Sequence, residues 1–410
     1  MGDGTCRFCG SPLAETFVDL GMSPLSNAFL TAAQCHRMEP FFPLHVWVCG
    51  SCFLVQLEAF ETPERIFGDY AYFSSYSDTW LEHCRRYVAE VIERFPLGPE
   101  SLVVELASND GYLLQYFQQR GIAVLGVEPA RNVAQAAIAK GVPTEAVFFG
   151  RDSARRLLAE GRGADLLIGN NVLAHVPDLN DFVAGMKILL KPDGVITMEF
   201  PHLVRLIEGN QFDTIYQEHF SYFSFLTAER VFARHGLRLF DVEELPTHGG
   251  SLRIYGCHAD SRAQTGERVA RMKSEETAYG LSRIETYRRF GEKVHEVKRD
   301  VLAFLIDARR RGKRVVGYGA PAKGNTLLNY CGIRSDLIEF TVDRSPAKQG
   351  KFLPGTHIPV HAPQKIMEAK PDYVFILPWN LRDEIVRTMA DIRQWGGQFV
   401  VPIPRVEVIP

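Results

Sequence analysis

The 410-residue chain lacks any run of eighteen apolar residues, so no transmembrane helix is expected. It lacks an excess of either charge. A net charge of −3 gives no reason to expect nucleic acid or a membrane surface as a partner. Its first residues, Met1-Gly2-Asp3-Gly4-Thr5-Cys6, lack the basic and apolar regions of a secretory signal, and a cytoplasmic location is expected. In that compartment the eight cysteines are thiols or metal ligands before they are disulfides. What remains is the composition of an ordinary soluble protein, 46% hydrophobic and 23% charged, at a length that suits two to three domains.

Four of the cysteines have a spacing. Cys6-Arg7-Phe8-Cys9-Gly10 and Cys49-Gly50-Ser51-Cys52 form a paired CxxC. A two-residue gap turns both thiolates of a knuckle toward one ion, and two knuckles complete a tetrahedral S4 set suited to Zn²⁺. With all four positions filled by Cys, no coordination site is left open, which points to a structural metal, with catalytic zinc or redox dithiols as the alternatives. The flanks are rich in Phe, Leu and Pro rather than basic residues, which argues against a nucleic-acid ribbon. Cys35, Cys84, Cys257 and Cys331 share no such spacing. Strands are expected near 18–22 and 41–48. The Tyr- and Ser-rich connector at 67–76, which includes Tyr72, offers either ligand hydroxyls or a packed aromatic linker.

The middle of the chain alternates strands and helices. A helical repeat covers 79–95, and Leu102-Val103-Val104-Glu105-Leu106 reads as a strand. It runs into the loop Ala107-Ser108-Asn109-Asp110-Gly111 and a helix at 112–119. A second strand, 123–127, ends at Glu128, and further strands end at Asn170-Asn171 and, after the turn 191–194, at Phe200. This pattern predicts a parallel sheet with its ligand at the carboxyl ends of the strands. The first loop has one Gly where a dinucleotide fingerprint has three, so close approach of a pyrophosphate is not provided for. A loop of polar side chains between Glu105 and Glu128 suits S-adenosylmethionine, a cation with a ribose and no phosphates, better than NAD. An inert Rossmann-like half is the plainer alternative.

The segment Gln211-Phe212-Asp213-Thr214-Ile215-Tyr216-Gln217-Glu218-His219-Phe220-Ser221-Tyr222-Phe223-Ser224 puts a phenol, a carboxylate and an imidazole within four residues, between aromatic flanks. Partial desolvation with polar neighbours tunes an imidazole as a general base, and a Tyr beside it can hold an oxyanion. An aromatic edge strand carrying a structural His is the bland reading of the same residues. Beyond it, 262–311 reads as helix, with Tyr287, Phe290, Val294, Val297, Val301 and Phe304 drawing one apolar stripe. Strands near 314–319, 340–343, 373–377 and 398–401 then form a second α/β half. Its turn, Gly317-Tyr318-Gly319-Ala320-Pro321-Ala322-Lys323-Gly324, could cradle a phosphate with backbone N–H groups and one ammonium, or be glycine-rich for packing alone.

The paired CxxC, the Glu105–Gly111 loop, Asp213-Thr214-Ile215-Tyr216-Gln217-Glu218-His219-Phe220, His248-Gly249-Gly250-Ser251-Leu252-Arg253 and the 317–324 turn together resemble the sugar C-methyltransferases of deoxysugar and antibiotic biosynthesis, over essentially the whole chain. The resemblance implies an α/β protein: a zinc-binding domain (1–75), a class I S-adenosylmethionine domain (76–245) and a C-terminal Rossmann-like domain that binds a nucleotide sugar (246–410). It implies Glu105, Ala107, Asn109, Gly111, Glu128 and Asn170 at the cofactor, and Cys6, Cys9, Cys49 and Cys52 at structural zinc. Ala107 stands where the family's loop usually carries Gly; the alanine keeps the backbone accessible if φ is negative. The implied substrate is a 4-keto sugar linked to thymidine diphosphate. His219 would take the C3 proton, Tyr216 would bond the keto oxygen or enolate, and Glu218 would orient His219 or touch the sugar. Tyr72, Tyr222 and His248 would surround the sugar, Gly319 and Lys323 would meet its phosphates, and His175 would lie near the cofactor or simply pack. A monomer is expected. The rival readings are methylation at C5, an O- or N-methyltransferase, and a nicotinamide-dependent oxidoreductase or nucleotide-sugar binding module.

Overall fold

The computed structural model describes residues 4–62 and 73–410. Its internal contacts divide into two compact units, each assembled from three stretches of chain: 1–13, 49–203 and 220–282 in the first, and 14–48, 204–219 and 283–410 in the second. These boundaries cut across divisions at 75/76 and 245/246.

The first unit is built on a seven-stranded sheet. In chain order its strands are Leu102–Leu106, Ala123–Val127, Thr144–Glu145, Ala164–Asn170, Leu190–Pro201, Leu237–Leu245 and Ser251–His258. Across the sheet they lie in the order 3-2-1-4-5-7-6. The first five are parallel, and the seventh is antiparallel to both neighbours. This is the class I methyltransferase arrangement that the resemblance led us to expect. The strands are buried on both faces, which is why they read as continuous apolar runs. Val103, Leu166 and Ile168 face the Asp78–Arg94 helix, while Val104, Leu106 and Leu167 face the opposite layer with Leu157, Val183 and Met186. Glu105 shares the parity of Val103, so a carboxylate enters an apolar layer. The turn expected at 191–194 is a bulge in the fifth strand, where pairing jumps from Leu190 to Val195.

The second unit carries a six-stranded sheet of Val315–Tyr318, Thr341–Val342, Val360–His361, Tyr373–Ile376, Gln398–Val401 and Glu407–Ile409. Its order is 3-2-1-4-5-6, parallel except for the last strand, which is the doubly wound Rossmann pattern. The helix expected over 262–311 is three helices, Glu267–Tyr279 in the first unit and Ile284–Arg288 and Phe290–Arg310 in the second, because Gly280 turns left-handed and ends the first. Phe290 stacks on Phe17 of the Glu15–Ser23 strand at 4.5 Å, with Tyr287 edge-on to the same ring, so the apolar stripe is explained by packing. The segment at 211–224 is not an extended strand. It contains a 3-10 turn at Phe212–Thr214 and only two strand residues, Ser221–Tyr222.

Candidate functional site

The two knuckles fold alike. The Gly10 and Phe53 amides donate to the carbonyls of Cys6 and Cys49, each at 2.9 Å, and the backbone after each second cysteine is left-handed (Gly10 φ 75°, Phe53 φ 63°). The four Sγ atoms lie within 4.8 Å of one another, with Cys6–Cys52 at 3.6 Å and Cys9–Cys49 at 3.5 Å. Tetrahedral zinc with bonds of about 2.3 Å needs sulfurs about 3.8 Å apart, so the set fits the ion. Gln56 Nε2 donates to Cys6 Sγ and the Ser51 amide to Cys49 Sγ, the outer-shell bonds that favour thiolates. Tyr222 pairs with Val55 in the short sheet beside the knuckles and is buried.

The predicted cofactor residues come together in this unit at the carboxyl ends of the parallel strands. Ala107, Asn109 and Gly111 are all left-handed, at φ 55, 49 and 77°. The condition of a negative φ at Ala107 is therefore not met; an αL position is what Gly provides, and Ala107 holds it under strain. At Gly111 an added Cβ would come within 2.8 Å of Val142 Cγ2. Glu128 accepts from the amides of Asn109 and Ala130 at 2.9 and 2.8 Å, so the acid after the second strand is locked to the loop. Glu105 is fully buried, and among the described residues neither carboxyl oxygen has a donor in good hydrogen-bonding geometry. Burial pushes its pKa well above the usual range, with the Tyr112 hydroxyl opposing. Tyr112 in turn interacts with Asn170 at the fourth strand tip. A buried acid on the first strand, followed in sequence by a polar loop, suits a cationic ligand at the strand ends.

The second unit gathers the catalytic candidates. His219 Nδ1 lies 2.7 Å from the Thr214 carbonyl. A carbonyl only accepts, so Nδ1 carries the proton and Nε2 is the basic nitrogen of the neutral ring. The Tyr216 ring packs on the imidazole at 4.1 Å. Glu218 is buried and accepts from Asn27 Nδ2 at 2.6 Å. The turn is anchored from below: Trp379 Nε1 donates to Asp213 Oδ2 at 2.7 Å, and Thr326 Oγ1 donates to the Ile215 carbonyl. Burial raises the Asp213 pKa to about 6, partly offset by the charge of Lys323. Lys323 Nζ donates to Asn380 Oδ1 at 2.8 Å and lies 4.4 Å over the Trp379 ring. An added Cβ at Gly319 would sit 2.5 Å from Pro378 Cδ, and its backbone is left-handed at φ 87°, so both packing and conformation favour glycine there.

Comparison with known proteins adds the family. A C-methyltransferase C-terminal domain model matches residues 246–404, a zinc binding domain model 6–67, and a methyltransferase domain model 80–242. The C-methyltransferase NovU of Streptomyces niveus is 38% identical over 404 residues, covering 98% of this chain and 96% of the relative. The chain belongs to the C-methyltransferase family. It is an S-adenosylmethionine-dependent C-methyltransferase with a zinc-binding domain. Among solved structures, magnesium protoporphyrin IX methyltransferase from Synechocystis PCC 6803 with bound SAM is 16% identical over 48% of this chain and 88% of that one, at a TM-score of 0.34. A Haloferax volcanii complex of the Trm112 activator with a methyltransferase gives 14%, 44% and 94%, at 0.35.

Within the C-methyltransferase, Tyr72 lies outside the described residues. His175 ends a 3-10 turn just past the fourth strand. His248 lies 3.2 Å from Asn171 and packs on Trp80. Trp80, His83, Asn171 and Glu199 were not singled out from the sequence, because only the packing of the Asp78–Arg94 helix on the sheet brings them to one place. Thr214 was missed as the group that orients His219, since its backbone oxygen, not its side chain, makes the contact.

Proposed function

We propose that the enzyme methylates C3 of a 4-keto deoxysugar linked to thymidine diphosphate, in deoxysugar biosynthesis in the cytoplasm, as a monomer. The observation that carries this reading is the imidazole of His219, committed through Nδ1 to a carbonyl and left basic at Nε2 beside a phenol. A carbon acceptor must become a nucleophile first, and a carbonyl next to it makes its proton removable. His219 Nε2 takes the C3 proton, and the electron pair passes to the keto oxygen. The Tyr216 hydroxyl bonds that oxygen as it becomes an enolate. Glu218, fixed by Asn27, contacts the sugar. S-adenosylmethionine, when bound, supplies an electrophilic methyl carbon and departs as the neutral thioether. Glu105, the Ala107–Gly111 loop, Glu128 and Asn170 hold that cofactor and exclude water from it, and positioning supplies much of the rate. Gly319 and Lys323 lie at the phosphates, and Tyr72, Tyr222 and His248 line the sugar. Cys6, Cys9, Cys49 and Cys52 hold a structural zinc ion. The domains are read as 1–75 for zinc, 76–245 for the cofactor and 246–410 for the nucleotide sugar.

Incubation with methyl-¹³C-labelled S-adenosylmethionine and a thymidine diphosphate 4-keto-6-deoxysugar tests the proposal. The label is expected in a methyl group bonded to sugar carbon C3. A label at C5, in a methyl ether or in an N-methyl group overturns it.

A further inference from the structure

Half of the left-handed non-glycine residues described crowd the carboxyl ends of the seven-stranded sheet: Ala107, Asn109, Asn171 and His248, the last two at φ 55 and 54°. Asn adopts this conformation readily, whereas at Ala107 and His248 it persists only where the surroundings impose it. His248 sits on the turn between the sixth and seventh strands, and its side chain is exposed. It fills no core, yet what surrounds it is buried and tightly bonded.

The hub is Glu199, whose side chain is fully buried on the fifth strand. In register it lies between Asn170 and Arg253. One carboxyl oxygen accepts from Thr247 Oγ1 at 2.8 Å. The other accepts from Arg253 at 3.0 Å and meets His83 Nε2 at 2.9 Å. The Glu199 carbonyl accepts from the Asn171 amide at 2.7 Å. One residue therefore ties down both sides of the contact between His248 and Asn171. Trp80 completes the brace, stacking on His83 at 4.9 Å and packing on His248 at 5.3 Å. Burial pushes the Glu199 pKa up, but the His83 bond and the Arg253 charge outweigh it, so the group stays a carboxylate.

We infer that Glu199 and Thr247 are positioning residues which hold His248 and Asn171 in the methyl-transfer site at the fourth and fifth strand ends. A purely structural brace would not need to keep an exposed imidazole on strained backbone. The turnover part of the test rests on the sugar-methylation reading; the spectroscopic part does not. Thr247→Val removes the hydroxyl at nearly constant shape, and Thr247→Ser keeps it. In spectra of ¹⁵N-histidine-labelled enzyme, with His248 assigned through His248→Asn, one ring tautomer should dominate in the parent and in Thr247→Ser. In Thr247→Val the two should average. Turnover of the thymidine diphosphate sugar should fall about tenfold in Thr247→Val only, with the Kd for S-adenosylhomocysteine changed less than about twofold. An unchanged His248 spectrum in Thr247→Val overturns the inference. So does equal loss in Thr247→Ser, or parent-like turnover in Thr247→Val. If the parent itself leaves the sugar unmethylated, the proposed substrate falls, and the histidine spectra still decide whether the brace positions His248.

Discussion

At the scale of single residues, His219, Asp213 and Ala107 carry separate and checkable consequences. Replacing His219 with Asn removes the basic nitrogen while keeping a polar side chain of similar size. Turnover should fall by about 10²–10⁴, with the Kd for S-adenosylmethionine little changed; a variant within a factor of two of the parent would remove the imidazole from the chemistry. Asp213 is a buried acid whose pKa rises from 3.8 to about 6. Between those values the folded chain binds more protons than the unfolded chain, so this group's contribution to stability falls as pH rises through the window. The loss amounts to up to about 3 kcal/mol. Asp213→Asn lacks that slope, so the Tm of the parent relative to the variant should decline from about pH 4 to about pH 6. Parallel Tm curves would contradict the assignment. Ala107 sits at φ 55°, where an L side chain is strained. Ala107→Gly should be neutral or raise the Tm, against the usual cost of about 0.5–1 kcal/mol for a glycine; a clear drop would mean the position is unstrained. The presence of Glu105, Glu128 and the loop was legible in the sequence. The φ at Ala107 was not, since it follows from how the loop closes on Glu128 rather than from the residue itself.

At the scale of elements, the knuckles make the firmest link from sequence to structure. Their spacing alone predicts the metal geometry, and the four sulfurs converge as zinc requires. Cys49→Ser should lose the bound zinc, measured by metal analysis, and lower the Tm of the whole enzyme. Retention of one zinc per chain in that variant would contradict the assignment. Four strands of each sheet were legible because parallel strands covered on both faces read as apolar runs ended by polar loops, whereas Thr144–Glu145, Leu237–Leu245, Ser251–His258, Val360–His361 and Glu407–Ile409 were not read from the sequence. The long helix was misread as one. Its apolar positions continue in phase past 280, and only the left-handed Gly280 reveals the break. The 211–224 segment was legible as a group of chemical residues but not as a turn. Its aromatics suggest a strand, whereas the bonds of Asp213 to Trp379 and Thr326 to Ile215 hold it in a tight bend. Those partners lie more than a hundred residues away in sequence, and no local pattern announces them.

At the scale of the whole molecule, composition set only outer limits: no helix among the described residues is long and apolar enough to cross a membrane, and the net charge is small. The two sheet orders, 3-2-1-4-5-7-6 and 3-2-1-4-5-6, specify more, because each puts motifs read from the sequence in loops at its carboxyl strand ends, where doubly wound sheets generally take their ligands. The His83–Glu199–Thr247 brace could not be read in advance, since it joins a helix, a strand and a turn that are far apart in sequence. The central claim is that the enzyme makes a carbon nucleophile by removing a proton with His219. It is tested most directly by incubating the enzyme in D₂O with a thymidine diphosphate 4-keto-6-deoxysugar and S-adenosylhomocysteine, which carries no transferable methyl group. NMR should show deuterium entering at C3 with the parent enzyme and not with His219→Asn. No exchange by the parent complex, or equal exchange by both, would contradict the account.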